Sequence, residues 1–180
     1  APANAVVAEI RAAGGDAMAH GANVANEAQV IDMITKTMAA WGRVDILINN
    51  AGILRDKTFL KMSMEEFRLV IEVHLIGTAN CTKAVWEIMR EQQHGRIVCT
   101  TSSSGLYGNF GQANYGAAKM AMVGLMNTLH LEGAKYNIHV NCLAPTAGTA
   151  MTDGLFPPAV FDLLSPESVS PADVFLAGPD

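Results

Sequence analysis

Short, continuous apolar runs alternate along the chain with longer stretches of helical periodicity, and this alternation limits the fold more than any other property of the sequence. The short runs lie at 16–20, 44–49, 96–101 and 138–143. Between them the spacing predicts helices over 6–13, 27–41, 65–92 and 113–135. In the second of these, Val30, Ile34, Met38 and Trp41 recur one helical turn apart. The unbroken runs Ile46-Leu47-Ile48 and Ile97-Val98 fit strands buried on both faces, as in parallel sheets covered by helix layers. Alternating strands and helices read as βαβ units, so the expected class is α/β with a doubly wound parallel sheet. Gly42 and Gly95 read as helix stops. No repeat or linker divides residues 1–180, which read as one domain. From Met151 onward the character changes: Pro157, Pro158, Pro166, Pro171 and Pro179 predict loops with short helices, placed to cover a site at the strand C-termini.

Composition removes several function classes. Half of the 180 residues are hydrophobic and 16% are charged, with a net charge of −5, so the chain has neither the signature of disorder nor a basic footprint for nucleic acid. The longest uncharged stretch, 97–118, is full of Ser, Gly, Asn and Thr and is no membrane span. Cys81, Cys99 and Cys142 follow no metal spacing, and His20, His94, His130 and His139 show no ligand pattern, so no metal site is expected. The cysteine usage suits a reduced, cytoplasmic compartment. Residues 1–8 lack the basic start and apolar core of a signal peptide.

The chemistry is carried by two short stretches. Tyr115 and Lys119 stand at i and i+4 of an expected helix, one turn apart on one face. A cation there is expected to favour the phenolate and pull the Tyr115 pKa below 10, toward the range where an acid/base is effective. Ser102 lies thirteen residues earlier, just after a strand, where its hydroxyl can meet the phenol across a cleft. With Asn49-Asn50-Ala51-Gly52 after a strand, Asn23-Val24, and Pro145 after 138–143, the sequence resembles the short-chain dehydrogenase/reductase family, at the points where that family has its Ser, Tyr and Lys. The resemblance implies a Rossmann-like sheet and a nicotinamide cofactor. Thr146 departs from the Pro-Gly turn of the family.

The stretches Asn49–Asp56, Gly108–Tyr115 and Ala144-Pro145-x-Ala147-Gly148-x-x-Met151-Thr152, with Val73-His74-Leu75, resemble more narrowly the (3R)-hydroxyacyl-CoA dehydrogenase part of the type 2 peroxisomal multifunctional enzymes. By that resemblance Tyr115 is the acid/base, Ser102 binds the substrate oxygen, and Lys119 holds the ribose and lowers the Tyr pKa. His74 stands where most members have Asn and contributes its carbonyl to a water relay; its other reading is a packing residue. The resemblance also places Asn23, Val24, Asn50, Ala51, Gly52, Pro145, Gly148 and Thr149, with Tyr115 and Lys119, at the cofactor. NAD and NADP are not distinguished. The substrate implied is a small molecule, a 3-hydroxyacyl-CoA or 3-oxoacyl thioester. A 3-oxoacyl-[acyl-carrier-protein] reductase and a hydroxysteroid or other alcohol dehydrogenase stay open.

No glycine-rich dinucleotide loop occurs in these residues, and in the family it would precede Ala1. The expectation is a domain cut at both ends, without its first two strands and its last. The competing expectation is a cofactor-less scaffold or dimerisation partner. The helices over 65–92 and 113–135 correspond to dimer-forming helices of the family, so a homodimer or homotetramer is expected. A peroxisomal location is possible for a eukaryotic chain. Gly105, Gly108 and Gly111 read as a flexible substrate-side loop, and Arg55, Lys57 and Lys61 as a solvated loop rather than a CoA-binding patch.

Overall fold

A computed structural model describes residues 2–149, 152, 157–161 and 163–178. Its elements are α1 (Pro2–Ala12), α2 (Glu27–Trp41), β1 (Ile46–Asn49), α3 (Met64–Ile71), a π-helical turn (Glu72–Ile76), α4 (Gly77–Gln92), β2 (Gly95–Thr100), α5 (Ser103–Tyr107), α6 (Ala113–Gly133), β3 (Ile138–Leu143), α7 (Pro158–Phe161) and α8 (Ser170–Leu176). The three strands lie parallel in the order β1-β2-β3, with Leu47 opposite Ile97 and Ile97 opposite Val140.

Local signals set the element ends. The Asn26 side chain accepts from the Gln29 N–H at the start of α2, and Gly42 closes that helix in the left-handed region at φ 73°. Ser63 and Glu66 form a reciprocal capping box on α3. Because side chains alternate across a strand, Leu47, Ile97, Cys99, Ile138, Val140 and Cys142 share one face, packed with Ile34, Val85, Met89 and Met122 of α2, α4 and α6. Arg96 and Val98 take the other face, where α8 touches β2 and β3, and Arg96 Nε donates to the Gly178 carbonyl at 2.9 Å. Helices therefore cover both faces of β2. Fully burying Ile97 and Val98 stabilises the strand by about 1.5–3 kcal/mol each.

Several expectations are corrected. Residues 16–20 form no strand, because a strand is made by its ladder and no neighbour pairs with this segment among the described residues. β1 is not buried on both faces: Ile46 and Ile48 are 47% and 42% exposed, whereas α8 packs on β2 and β3. Gly95 opens β2 instead of ending α4, and Gln93 at φ 53° makes that stop. The helix expected over 65–92 is interrupted by the π turn, and the loop expected around Gly105 is the helix α5. In the proline-rich segment the described residues form short helices, as expected; Met151 and Pro179 lie outside the described residues. Among the described residues no helix is long and apolar enough to cross a membrane.

Candidate active site

The C-terminal ends of the three strands open into a cavity of about 430 Å³. Asn50 and Gly52 enter it after β1, Ser102 after β2, and Pro145 and Thr149 after β3, while α6 supplies Tyr115 and Lys119 and the π turn supplies His74. Ser102 is the N-cap of α5 and accepts from the Ser104 N–H at 3.2 Å. α5 lies close against α6, and a Cβ on Gly105 would stand 2.9 Å from the Lys119 backbone, so only glycine fits there. The buried Thr101 hydroxyl donates to the Lys119 carbonyl at 2.6 Å, joining the end of β2 to the turn of α6 that bears the lysine.

Electrostatics differ from the sequence expectation. The Lys119 ammonium is almost wholly buried, donates to the Thr100 carbonyl, and lies 5.4 Å from the centre of the Tyr115 ring. Burial pulls its pKa down from 10.5 to about 8. The Tyr115 phenol is raised, not lowered: burial is the largest cause, the Ser102 hydroxyl offsets part of it, and the Asp56 carboxylate adds to it. Desolvating the phenolate outweighs a cation that stands over the ring.

His74 is 1% exposed. Its Nε2 lies 2.8 Å from the carbonyl and 3.0 Å from the N–H of Ile53, and its ring meets Tyr115 edge-on at 5.2 Å. A Cβ on Gly52 would stand 2.4 Å from His74 Cε1, so the backbone after β1 passes directly over the imidazole. Burial holds the His74 pKa below 6.5, hence neutral at pH 7. The ring, and not the backbone alone, joins the site.

The other expected cofactor residues are placed away from the cavity wall. Asn23 Oδ1 accepts from the Ala25 N–H at 3.1 Å, and the Val24 carbonyl accepts from Asn80 Nδ2 at 2.9 Å. Ala51 lies between two lining residues without lining the cavity. Gly148 is drawn toward the segment before α8 by a bond from its N–H to the Leu164 carbonyl. Thr152 joins the lining and donates to the Ala147 carbonyl at 2.7 Å.

Sequence reasoning missed a clamp between the two loops flanking the cavity. Gln112 Nε2 donates to Asp56 at 2.7 Å, Asn114 Nδ2 to the Arg55 carbonyl at 3.0 Å, and the Lys57 N–H to the Gly111 carbonyl at 2.9 Å. Asn114 is fully buried, and its Oδ1 accepts from the Tyr115 N–H at 2.7 Å. The only trace of this clamp in the sequence is that the stretches 49–56 and 108–115 are both rich in amides and other polar residues.

Residues 1–157 match the family model described as short chain dehydrogenase. The chain belongs to the short-chain dehydrogenase family. A Mycobacterium tuberculosis protein named as a short-chain type dehydrogenase/reductase is 52% identical over 98% of this chain and 62% of its own. The Drosophila melanogaster peroxisomal multifunctional enzyme type 2 is 48% identical over 97% of this chain and 29% of its own. Among solved structures, a short chain dehydrogenase from Mycobacterium avium superposes with a TM-score of 0.86 at 40% identity, over 97% of this chain and 61% of its own. The chain thus spans less than two thirds of these relatives. Ser102, Tyr115 and Lys119, the residues singled out in the sequence, lie together on one cavity of this member of the family.

Proposed function

We infer that the protein is an NAD(P)-dependent oxidoreductase that interconverts a secondary alcohol and a ketone, acting on a 3-hydroxyacyl-CoA or 3-oxoacyl thioester. The observation that carries this reading is the convergence of Ser102, Tyr115 and Lys119 on one cavity at the strand ends. A nicotinamide cofactor fits the residues present: the Lys119 ammonium has three donors, gives one to Thr100, and keeps others for ribose hydroxyls. Asn50, Gly52, Pro145 and Thr149 line the same space, with Ala51 and Gly148 next to lining residues; by the family resemblance Asn23 and Val24 would hold the adenine end. When bound, the cofactor takes or gives the hydride.

The chain's own residues manage the proton. In oxidation the Tyr115 oxygen accepts the hydroxyl proton as the carbonyl forms, and in reduction it returns that proton to the substrate oxygen. Ser102 donates to the same oxygen where negative charge develops. Lys119 would hold the ribose, and the His74 carbonyl would accept from a water that carries the proton from Lys119 toward solvent. The thioester follows from the resemblance to the multifunctional enzymes, which is supported by relatives that include the Saccharomyces cerevisiae peroxisomal hydratase-dehydrogenase-epimerase at 50% identity.

A second reading, 3-oxoacyl-[acyl-carrier-protein] reductase, is favoured by the Synechocystis enzyme of that name, 43% identical and covered over 74% of its length. A scaffold without cofactor is opposed by the retention of all three proton-handling residues. We further infer a homodimer or homotetramer through α4 and α6, whose neighbourhood leaves Met120 and Leu131 exposed at 50% and 76%. The location would be cytoplasmic, or peroxisomal in a eukaryote.

The test is an assay of 3-hydroxyacyl-CoA, both 3-oxoacyl thioesters and a hydroxysteroid with NAD(H) and NADP(H). Tyr115→Phe is expected to cut turnover about 100- to 10,000-fold while cofactor affinity stays near wild type. Near-normal turnover in that variant overturns the reading.

A further inference from the structure

We propose that Gln112 is a specificity residue: its free amide hydrogen donates to the thioester carbonyl oxygen of the substrate, two carbons along the chain from the oxygen that Tyr115 serves. This rests on the proposed reaction at a 3-hydroxyacyl or 3-oxoacyl thioester.

Gln112, Tyr115 and Lys119 all line the cavity, and they follow one another at i, i+3 and i+7 in a single stripe along α6. The Gln112 carbonyl accepts from the Gly116 N–H at 2.7 Å, so the residue is tied into the first turn of the helix. With a rise of about 1.5 Å per residue, Gln112 stands about 4.5 Å from Tyr115 along the axis, and Lys119 about 6 Å away on the opposite side. Lys119 marks the side where the ribose belongs in the proposed reaction. Gln112 marks the side on which the substrate extends away from the cofactor.

An amide can present its oxygen or its nitrogen, and two neighbours decide which. Gln112 Nε2 donates to Asp56 Oδ2 at 2.7 Å, and a carboxylate can only accept, so the nitrogen end faces it. Gln112 Oε1 accepts from Asn109 Nδ2 at 3.0 Å. A turn sets up that second bond: the Gln112 N–H donates to the Asn109 carbonyl at 3.2 Å, with Gly111 at φ 80°. The segment bearing Asp56 is held in turn, because the Arg55 carbonyl accepts from Asn114 Nδ2 at 3.0 Å and the Lys57 N–H donates to the Gly111 carbonyl at 2.9 Å. The Gln112 amide cannot turn over without losing both of its bonds.

Nε2 carries two hydrogens and gives one to Asp56; the second has no partner among the described residues. Gln112 is only 8% exposed, so that hydrogen meets little water. A buried donor without an acceptor is costly, and a ligand oxygen in the cavity removes the cost. A carbonyl supplies such an oxygen, whereas an alkyl chain does not. Elsewhere on the wall, the Thr152 hydroxyl already donates to the Ala147 carbonyl at 2.7 Å. Gln112 is therefore a donor preset in one orientation, and it favours a substrate with a second oxygen near the reacting one over a simple secondary alcohol.

The experiment compares two substrates in the full-length protein with NAD(H) or NADP(H). One is a 3-hydroxyacyl-CoA, and the other is its thioether analogue, in which a methylene replaces the thioester carbonyl. The measured quantity is the ratio of kcat/KM for the thioester to that for the thioether, which cancels the electronic effect of the carbonyl on C3 when proteins are compared. This ratio is expected to be about 10-fold larger in wild type than in Gln112→Met, the worth of one hydrogen bond. The difference should be carried by KM, because the bond is made equally before and during hydride transfer. Asp56→Asn keeps Gln112 but no longer dictates which amide end faces it, so the ratio should fall by less. An equal ratio in wild type and Gln112→Met overturns the proposal. Should Gln112→Met not fold, an undiminished ratio in Asp56→Asn overturns it instead. A wild-type protein that oxidises neither compound with either cofactor would remove the proposed reaction itself, and this inference with it.

Discussion

The loops leaving β1 and β2 reach the same cavity but are anchored in opposite ways. The β2 loop is bound to the helix that bears the chemistry: Lys119 donates to Thr100, and Thr101 donates back to Lys119. The β1 loop is held by groups from elsewhere, the His74 imidazole at Ile53 and the amides of Gln112 and Asn114 at 55–56. The strands themselves differ in parallel. β2 is buried along both faces, whereas β1 leaves Ile46 and Ile48 exposed. Ser102 thus follows the best-packed strand, with Tyr115 and Lys119 on the helix bound to its end, whereas Asn50 and Gly52 follow the least covered strand.

The largest effect should come from loosening β2. Ile97→Ala removes a fully buried side chain from the centre of the core and is expected to cost about 2–5 kcal/mol in denaturant unfolding. A loss no greater than that of a surface change would show that β2 is not the anchor.

Lys119 gives the comparison a pH axis. Its folded pKa of about 8 lies below the unfolded 10.5, so between these values the unfolded chain binds the extra proton and stability rises with pH. By about 1.36 kcal/mol per unit, wild type should gain roughly 3 kcal/mol across that window relative to Lys119→Met. Parallel stability curves for the two proteins would mean the ammonium is not desolvated at the end of β2.

On the β1 side, His74→Ala strips the Ile53 carbonyl and N–H of their shared partner, at a cost of about 1–3 kcal/mol. Faster amide exchange at Ile53 than at Thr101 would localise the damage. Wild type should also lose stability as pH falls below 6.5, because the unfolded imidazole takes a proton that the buried one refuses, and His74→Ala should lose less. The smallest effect belongs to Ile48→Ala, about 1 kcal/mol or less, since nearly half of that side chain already meets solvent. A cost as large as that of Ile97→Ala would erase the contrast.

Much of this was legible in the residues. The runs around Ile48, Ile97 and Val140 announce strands because parallel strands between helices need continuous apolar side chains. The Tyr115 and Lys119 pair is visible because helical spacing fixes which residues share a face. Residues 16–20 mislead for a physical reason: apolar content marks a candidate strand, but only a partner makes one. α5 is hidden by its serines and glycine, which favour turns locally and are overridden by packing on α6. The clamp of Asp56, Gln112 and Asn114 is illegible because bonds between distant polar side chains leave no period in the sequence. The direction of the Tyr115 shift is illegible as well, since it depends on how deeply the phenol is buried.

The π turn at Glu72–Ile76 carries a final consequence. Val70 and Met89 are both fully buried, although nineteen positions separate them. Five turns of α-helix use about 18 residues, so in an unbroken helix the second side chain would be rotated by about 100° from the first. The wide turn takes up one residue more than an α-helical turn and so resets the register of α4 relative to α3, with Val70 and Met89 both buried. Chain length in 72–76 is therefore a structural quantity in its own right. Exchanging the solvent-facing Glu72 for another residue should be tolerated, whereas deleting it would swing either Val70 or the whole of α4 off the core.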